Sequence, residues 1–224
     1  MIKSIRISVT SALLVMSYGS IALESSLGVK DLPKLTQESQ HVASAKRVTS
    51  QFLRAHYKPI DLDDELSVKI FDRFIRSIDF NHNVFTAEDI QVFSVYKNKF
   101  DDSIERGNLS IAYEIYQLNM QRRTERYEYA LNLLDKEFNY ELANDTFIYD
   151  REDAAWAKNN KELDELWRQR VKYDALNLKL AGKDWPKIQE LLTKRYERAI
   201  KRLTQTSSED VFQTVMNSFA RSIE

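Results

Sequence analysis

The chain has 224 residues, with 33 Lys and Arg against 34 Asp and Glu, a net charge of −1 and no cysteine. Near-neutrality argues against a nucleic-acid partner, and the lack of cysteine excludes disulfides, thiolate metal sites and a cysteine nucleophile. The chain has only 4 glycines and 3 prolines, so few sharp turns are expected, and 30% of its residues are charged. This composition predicts an all-α, bundle-like fold of about seven helices. The same scarcity of glycine argues against a phosphate-cradling loop, and no cofactor is predicted.

In chain order, the first predicted element is a secretory signal peptide over residues 1–22. Lys3 and Arg6 precede the mostly apolar stretch Ile7–Tyr18, and Ser20-Ile21-Ala22 carries the small residues that signal peptidase requires. A membrane anchor is disfavoured, because a spanning helix needs about 20 apolar residues. We therefore expect cleavage after Ala22, a periplasmic location and no stable membrane anchor.

Three helices are predicted in the first half of the mature chain, after a loose segment at 23–35. Thr36 caps the first, which ends near Tyr57, and Asp61 caps the second. Thr86, with Asp89 three residues on, resembles a capping box that opens the third, which continues to a stop at Gly107. The predicted core stripes are Val42, Ala45, Val48, Phe52 and His56 in the first helix, Leu62, Leu66, Ile70, Phe74 and Ile78 in the second, and Ile90, Phe93, Phe100 and Ile104 in the third.

The second half of the chain is predicted to hold four helices and one long loop. A helix from Leu109 to about Glu137 is followed by an irregular loop at 138–159, of a length that is often functional or a tether. Within this loop, Phe147-Ile148-Tyr149 is compatible with a short edge strand. Helices then follow over Lys161–Ala181 and Trp185–Gln205, the latter with Pro186 in its first turn.

The final predicted helix, within 207–224, has an apolar face that runs almost to the last residue. The face consists of Val211, Phe212, Val215, Met216, Phe219 and Ile223. No Gly or Pro stop and no polar tail follow it, so we expect the chain to be cut in mid-structure and this helix to lead toward missing domains. We also expect an exposed apolar stripe that promotes association.

No catalytic or metal site is predicted. Ser94 and Lys97 match the S-x-x-K pattern of serine acyl-enzymes, but the supporting S-D-N and K-T-G motifs do not occur. His41, His56 and His82 lack the i+3 or i+4 partner of a helical zinc site; we place His56 in the core and His82 in a turn. The acids Asp61, Asp63, Asp64 and Glu65 lack the glycine and glutamate spacing of a calcium loop and suit a helix N-terminus.

One basic cluster remains, formed by Arg122, Arg123 and Arg126 beside Tyr127 and Tyr129. Nucleic-acid binding is one interpretation, and the favoured one is a solvated helix face or ion pairs to Glu125 and Glu128. Asn144-Asp145-Thr146 is a glycosylation sequon, although nothing in the signal sequence points to a eukaryotic secretory route.

Several extended segments resemble the N-terminal region of the bacterial tail-specific (C-terminal-processing) protease family. They keep the family's order and cover nearly all of the mature chain. The segments are Leu35–Phe52, His56–Phe74, Arg122–Leu131 (RRTERYEYAL), Lys172–Lys183 (KYDALNLKLAGK) and Ser208–Glu224 (SEDVFQTVMNSFARSIE). The resemblance implies a tail-specific protease N-terminal helical domain over 36–224.

The resemblance also implies an activity that lies outside this chain. Members of the family are periplasmic endopeptidases that bind an apolar C-terminus in a PDZ domain and cleave with a serine–lysine dyad in a later domain. A helical-repeat lipoprotein can serve as adaptor, and substrates include misfolded chains. Every dyad position lies beyond Glu224, so no dyad residue transfers and this chain alone is predicted to be inactive.

Two functions stay open at this point. The chain is either the non-catalytic helical module of a protease, packing on the PDZ and protease domains and helping to enclose substrate, or an independent periplasmic module that binds a protein partner or adaptor. Activity of the purified chain on a peptide with an apolar C-terminus would refute the non-catalytic interpretation.

Overall fold

The computed structural model describes residues 27–141 and 145–223, and within these ranges the protein is all-α, with no β-sheet. The predicted signal peptide lies outside the described residues. A short 3-10 helix at Val29–Asp31 precedes the α-helices. These are α1 (Ser39–Ala55), α2 (Asp64–Ile78), α3 (Ala87–Ser94), α4 (Phe100–Arg106), α5 (Ser110–Leu133), α6 (Asn160–Leu180), α7 (Trp185–Leu203) and α8 (Ser208–Ala220).

The described helices enclose two apolar cores that share α5. The larger core lies among α1 to α4, α8 and the N-terminal half of α5, where Phe74, Ile104 and Phe219 are fully buried. The smaller core lies among α6, α7 and the C-terminal half of α5, with Trp167 at its centre. Helix α5 is therefore the element that joins both halves of the fold.

The stripe predicted for α2 is confirmed within the helix, whereas that for α1 is partly wrong. Leu66, Ile70, Phe74 and Ile78 are all buried, but Leu62 precedes the helix and is half-buried. In α1, Ala45 is buried, but Phe52 is 40% exposed and the buried polar residues are His41 and Thr49. His56 does not lie in the core: it ends the helix half-exposed, with its ring Nδ1 2.9 Å from its neighbour Lys58 O.

The single helix predicted between Thr86 and Gly107 is two helices, because a side chain of α2 interrupts it. The buried Ser67 hydroxyl donates to Lys97 O at 2.9 Å and accepts from Phe100 N at 2.8 Å. In a continuous helix, Lys97 O and Phe100 N would form hydrogen bonds to backbone groups of that helix; here the Ser67 hydroxyl takes the place of those groups. Helix α3 ends at Ser94, and α4 begins at Phe100.

Helix ends follow local capping chemistry, with two shifts from prediction. The Thr86–Asp89 capping box is present, and Gly107 ends α4 with a left-handed φ of 67°. Asp63, not Asp61, caps α2 by accepting from Leu66 N at 2.8 Å. Helix α1 begins at Ser39 rather than after Thr36. The described part of the N-terminal segment is tied to α5, since Leu35 N donates to Gln117 Oε1 at 2.9 Å.

The expectation of an exposed apolar stripe on the last helix is wrong. Val211, Val215 and Phe219 of α8 are fully buried, and Met216 and Ile223 are nearly so. These side chains pack into the larger core against α1, α2 and α5. The apolar face of α8 is therefore buried by helices of the same chain.

The irregular connection between α5 and α6 contains no strand in its described residues, so Phe147-Ile148-Tyr149 forms no edge strand. Ala87 N instead donates to Ala157 O at 2.8 Å, beside an isolated bridge that pairs Thr86 with Ala157. None of the described helices is long and apolar enough to cross a membrane.

Candidate binding cleft

The S-x-x-K pair does not form a dyad. The Ser94 hydroxyl donates to Gln91 O at 2.7 Å, and the Lys97 ammonium lies 3.0 Å from the carboxylate of Asp72. Serine–lysine chemistry requires the amine within hydrogen-bond reach of the hydroxyl. Both side chains are engaged elsewhere, so this motif has a structural role.

His41 joins three helices inside the larger core. Its Nε2 lies 3.0 Å from Glu209 Oε2 of α8, and its Nδ1 lies 2.9 Å from the Tyr113 hydroxyl of α5. The ring stacks on Phe212 with centroids 4.8 Å apart. Burial, with the Glu209 carboxylate adding to it, raises the pKa of Tyr113 to about 12. This histidine is a structural junction between α1, α5 and α8.

His82 shapes the turn between α2 and α3, as its position in the sequence predicted. It adopts a left-handed φ of 48°, a conformation in which histidine is one of the enriched residues. Its ring stacks on Trp156 with centroids 3.6 Å apart, and its Nδ1 is hydrogen-bonded to Ala154 O. The turn is thereby fastened to the α5–α6 connection.

The acidic cluster at the start of α2 acts at a helix N-terminus, as predicted, with Asp63 as the cap and Asp64 and Glu65 in the first turn. Across residues 27–141 and 145–223, no three His, Asp or Glu side chains are grouped to hold a metal ion.

The three arginines of α5 make intramolecular pairs, both along their own helix and with other helices. Of the two predicted partners, Glu125 is used, at 3.2 Å, while Glu128 pairs with none of the three in the described part of the chain. Arg122 pairs with Asp89 and Glu125, Arg123 donates to Asn119, and Arg126 pairs with Asp164. The favoured ion-pair interpretation therefore agrees with these contacts, although the dominant partners lie on α3 and α6.

One buried carboxylate holds the α5–α6 connection against the α2–α3 turn. Asp79 is 1% exposed, and its oxygens accept from Asn83 N at 2.9 Å and from Phe85 N at 3.0 Å. The same carboxylate accepts from the indole Nε1 of Trp156 at 3.2 Å. A single side chain thus sets the shape of the turn and the position of a residue 77 places later.

A second carboxylate ties the same connection to α6. Asp145 lies 2.6 Å from Arg168 Nη2 and 2.7 Å from Lys172 Nζ. Hydrogen bonds from Arg168 and Lys172 hold the pKa of Asp145 well below its usual range. The two anchors place the intervening residues 147–151 over α6 and α7.

These elements enclose the cleft that we consider the candidate site, a cavity of about 340 Å³ between the α2–α3 turn at Asn81 and Asn83, residues 147–151, α5, α6 and α7. Its floor is aromatic: Tyr127 and Trp167 lie with centroids 5.7 Å apart, and Trp167 and Tyr196 lie 6.5 Å apart. Phe147 stacks at a tilt on Tyr173 at 5.2 Å to form the wall. We call this cavity the aromatic cleft.

Four arginines and one acid give the aromatic cleft a positive charge. The arginines are Arg151, Arg170, Arg195 and Arg202, and the acid is Asp174. Arg195 pairs with Asp174 at 3.1 Å. The Arg170 guanidinium lies over the Trp167 ring, 4.7 Å from its centroid. The excess of cations at a partly enclosed surface favours an anionic ligand.

Tyr196 has an unusual environment within this cleft. The residue is 3% exposed, and its hydroxyl makes no hydrogen bond of regular geometry to the described residues, although the Asp174 carboxylate lies close to it. Burial, followed by the negative charge of Asp174, raises the pKa of Tyr196, so the hydroxyl keeps its proton. A buried donor without an acceptor costs free energy, which a ligand oxygen could recover.

A second, more open groove lies between α2 and α8, with a volume of about 400 Å³. It is lined by Arg73, Arg76 and Arg221, with Phe80 at its edge and no acid among its lining residues. Arg76 pairs with Glu152 of the α5–α6 connection. We call it the basic groove.

The sequence did not predict either surface. The aromatic cleft is assembled from five segments that are far apart in the chain. In the sequence, only the exposed aromatics of the loop at 138–159 and Tyr127 beside the arginine cluster pointed to it. Ser94, His41 and Asp61, which were considered and rejected as site residues from the sequence, lie in neither surface.

Comparison with known proteins places this fold in a family. The sequence model of the tail specific protease N-terminal domain matches residues 48–224. A tail-specific protease of Haemophilus influenzae is 44% identical over 208 residues. That alignment covers 92% of this chain and 30% of the relative, so the chain spans less than a third of the relative's length.

Proposed function

The chain belongs to the tail-specific protease N-terminal domain family, and from this premise we propose that it is the non-catalytic helical module of a periplasmic, C-terminal-processing serine endopeptidase. The observation that carries the proposal is the match over residues 48–224, together with 44% identity to a tail-specific protease. The module packs against the PDZ and protease domains and helps to enclose unfolded substrate, with a lipoprotein adaptor as a further partner.

Two features of the fold support a scaffolding role. Helix α5 contributes to both cores, so a force or contact on one half of the domain is transmitted to the other through a continuous helix. The basic groove includes Arg221, two residues before Ile223, and so lies beside the end of the described chain. We propose this groove as part of the contact with the downstream domains.

The proposal is tested with a chimaera. The part of the Haemophilus influenzae protease that follows the matched region is produced alone and fused behind this chain, and cleavage of a peptide with an apolar C-terminus is measured. We expect the chimaera to cleave faster than the downstream part, and this chain to show no cleavage. The intact relative serves as the positive control.

Two results would overturn the proposal: cleavage by this chain alone, or a chimaera that is no more active than the downstream part. The second result would leave the independent binding module as the better function, an alternative that the positively charged aromatic cleft favours. Labelling the exported chain and locating it by cell fractionation tests the periplasmic assignment.

A further inference from the structure

We propose that the aromatic cleft binds an acidic segment of a separate polypeptide chain that also carries an aromatic or large apolar side chain. The inference concerns the cleft itself and does not depend on the proposed function. It requires three things of the cleft: space for a side chain, donors for carboxylate or carbonyl oxygens, and a positive field at the mouth.

The space is defined by aromatic rings. At about 340 Å³, the cavity falls at the small end of the range for ligand pockets, which suits one inserted side chain rather than a large folded surface. Tyr127, Trp167 and Tyr196 present ring surfaces to it, and Tyr149 at the rim is 75% exposed. Aromatic floors of this kind pack against apolar and aromatic side chains at offset or edge-to-face geometry.

The donors are already in place and are not fully used. The Tyr196 hydroxyl is buried without an acceptor at regular hydrogen-bond geometry in the described part of the chain, and so is Arg151 Nε. The Arg151 Nε–H can only donate, and the phenol O–H of Tyr196 has a proton to donate, so each of these protons needs an acceptor oxygen. Carboxylate and peptide carbonyl oxygens are the acceptors that a polypeptide offers.

The positive charge of the arginines favours acidic side chains in the ligand. Arg202 is exposed at the rim and forms no ion pair among the described residues, and Arg170 faces the Trp167 ring instead of an acid. Asp174 neutralises one of the four arginines by pairing with Arg195. A planar guanidinium binds a carboxylate through two parallel hydrogen bonds, so these arginines favour Asp and Glu over neutral side chains.

A nucleic acid would use similar residues but is disfavoured. The chain as a whole has a net charge of −1 and lacks the basic excess that is typical of nucleic-acid-binding domains. Single-stranded nucleic acid is held by a continuous basic groove along its backbone, which a cavity of this size does not offer. An oligonucleotide therefore serves as a competitor in the test.

The test measures the fluorescence anisotropy of a short fluorescein-labelled peptide, rich in Asp and Glu around one Phe and one Tyr, on titration with the purified chain. We expect saturable binding that weakens with added salt, because the Debye length falls from about 10 Å at 0.1 M salt to about 3 Å at 1 M. A peptide with Lys in place of each acid is expected not to bind.

Matched variants separate the cleft from the rest of the surface. R202Q is expected to weaken binding about fivefold, since an exposed ion pair contributes up to about 1 kcal/mol. R198Q, one turn away on α7 and outside the cleft, makes the same charge change and is expected to have less than half that effect. Y149A in the rim is compared in the same way with Y57A, whose ring is 80% exposed elsewhere.

Y196F provides a readout that a purely structural role would not give. The contact of the hydroxyl with Asp174 falls outside regular hydrogen-bond geometry, so we expect weaker peptide binding with little loss of thermal stability. The proposal is overturned if the acidic peptide shows no saturable binding, if R198Q weakens it as much as R202Q, or if the lysine peptide or an oligothymidine binds as tightly.

Discussion

Replacing Asp79 by Asn is expected to destabilise the whole domain and to release the α5–α6 connection from it. The carboxylate is 1% exposed and accepts from Asn83 N, Val84 N, Phe85 N and the indole of Trp156, at 2.9 to 3.2 Å. Asn keeps one acceptor oxygen, but its NH2 group replaces the other. Because this NH2 group cannot accept from the N–H groups that faced that oxygen, two of the four hydrogen bonds are lost.

The size of the effect follows from the charge and the burial of this group. Hydrogen bonds to a charged group contribute about 1.5–3 kcal/mol each, so the loss of two gives about 3–6 kcal/mol for D79N. The matched control is D72N on the same helix, where a 57% exposed carboxylate pairs with Lys97. Such an exposed pair contributes at most about 1 kcal/mol.

Urea unfolding followed by far-ultraviolet circular dichroism measures both losses. At a slope of about 2–3 kcal/mol per M, the D79N midpoint should fall by about 1–3 M and the D72N midpoint by at most about 0.5 M. Release of Trp156 should also shift tryptophan emission to longer wavelength under native conditions. If D79N and D72N unfold at the same urea concentration, Asp79 does not hold this junction and the reasoning fails.

Two further predictions concern backbone conformation and pH. G107A should cost more stability than G182A: both glycines have positive φ, at 67° and 78°, but a Cβ at Gly107 would lie 2.6 Å from Val42 O while Gly182 has no neighbour within 4 Å. We expect about 1 kcal/mol for G182A and at least twice that for G107A, by thermal unfolding. For Asp145, the pKa is lowered in the folded state by hydrogen bonds from Arg168 and Lys172. Its stabilisation is therefore complete above the unfolded carboxyl pKa of about 3.9 and is lost as the pH falls through the lower folded value. The stability difference between the wild type and D145N is about 1.5–3 kcal/mol, the contribution of a hydrogen bond to a charged group. It should be constant from pH 5 to 7 and shrink below pH 4, and a difference that grows on acidification would contradict the ion-pair assignment.

The positions of the helices could be predicted from the sequence because their signals are local. Leu66, Ile70 and Phe74 repeat at helical spacing, and the periodicity alone places them on one buried face. The caps at Thr86 and Gly107 likewise depend on neighbouring residues only. The extended likeness to tail-specific proteases is also a property of the sequence, and the family match confirms it.

Tertiary structure decided what depends on residues distant in the chain. No local pattern indicates that Ser67 interrupts a helix thirty residues later, or that His41 is buried against Glu209. The apolar face of α8 could be predicted from the sequence, but the residues that pack against it could not. An apolar helix face can be buried inside its own chain or against a different chain, and here it is buried in the larger core. The aromatic cleft has the same origin: Tyr196, Trp167 and Arg151 acquire a shared cavity only when Asp79 and Asp145 fix the connection above two packed helices. Helical periodicity specifies which side of a helix is buried, whereas long-range packing and buried hydrogen bonds determine what that side meets.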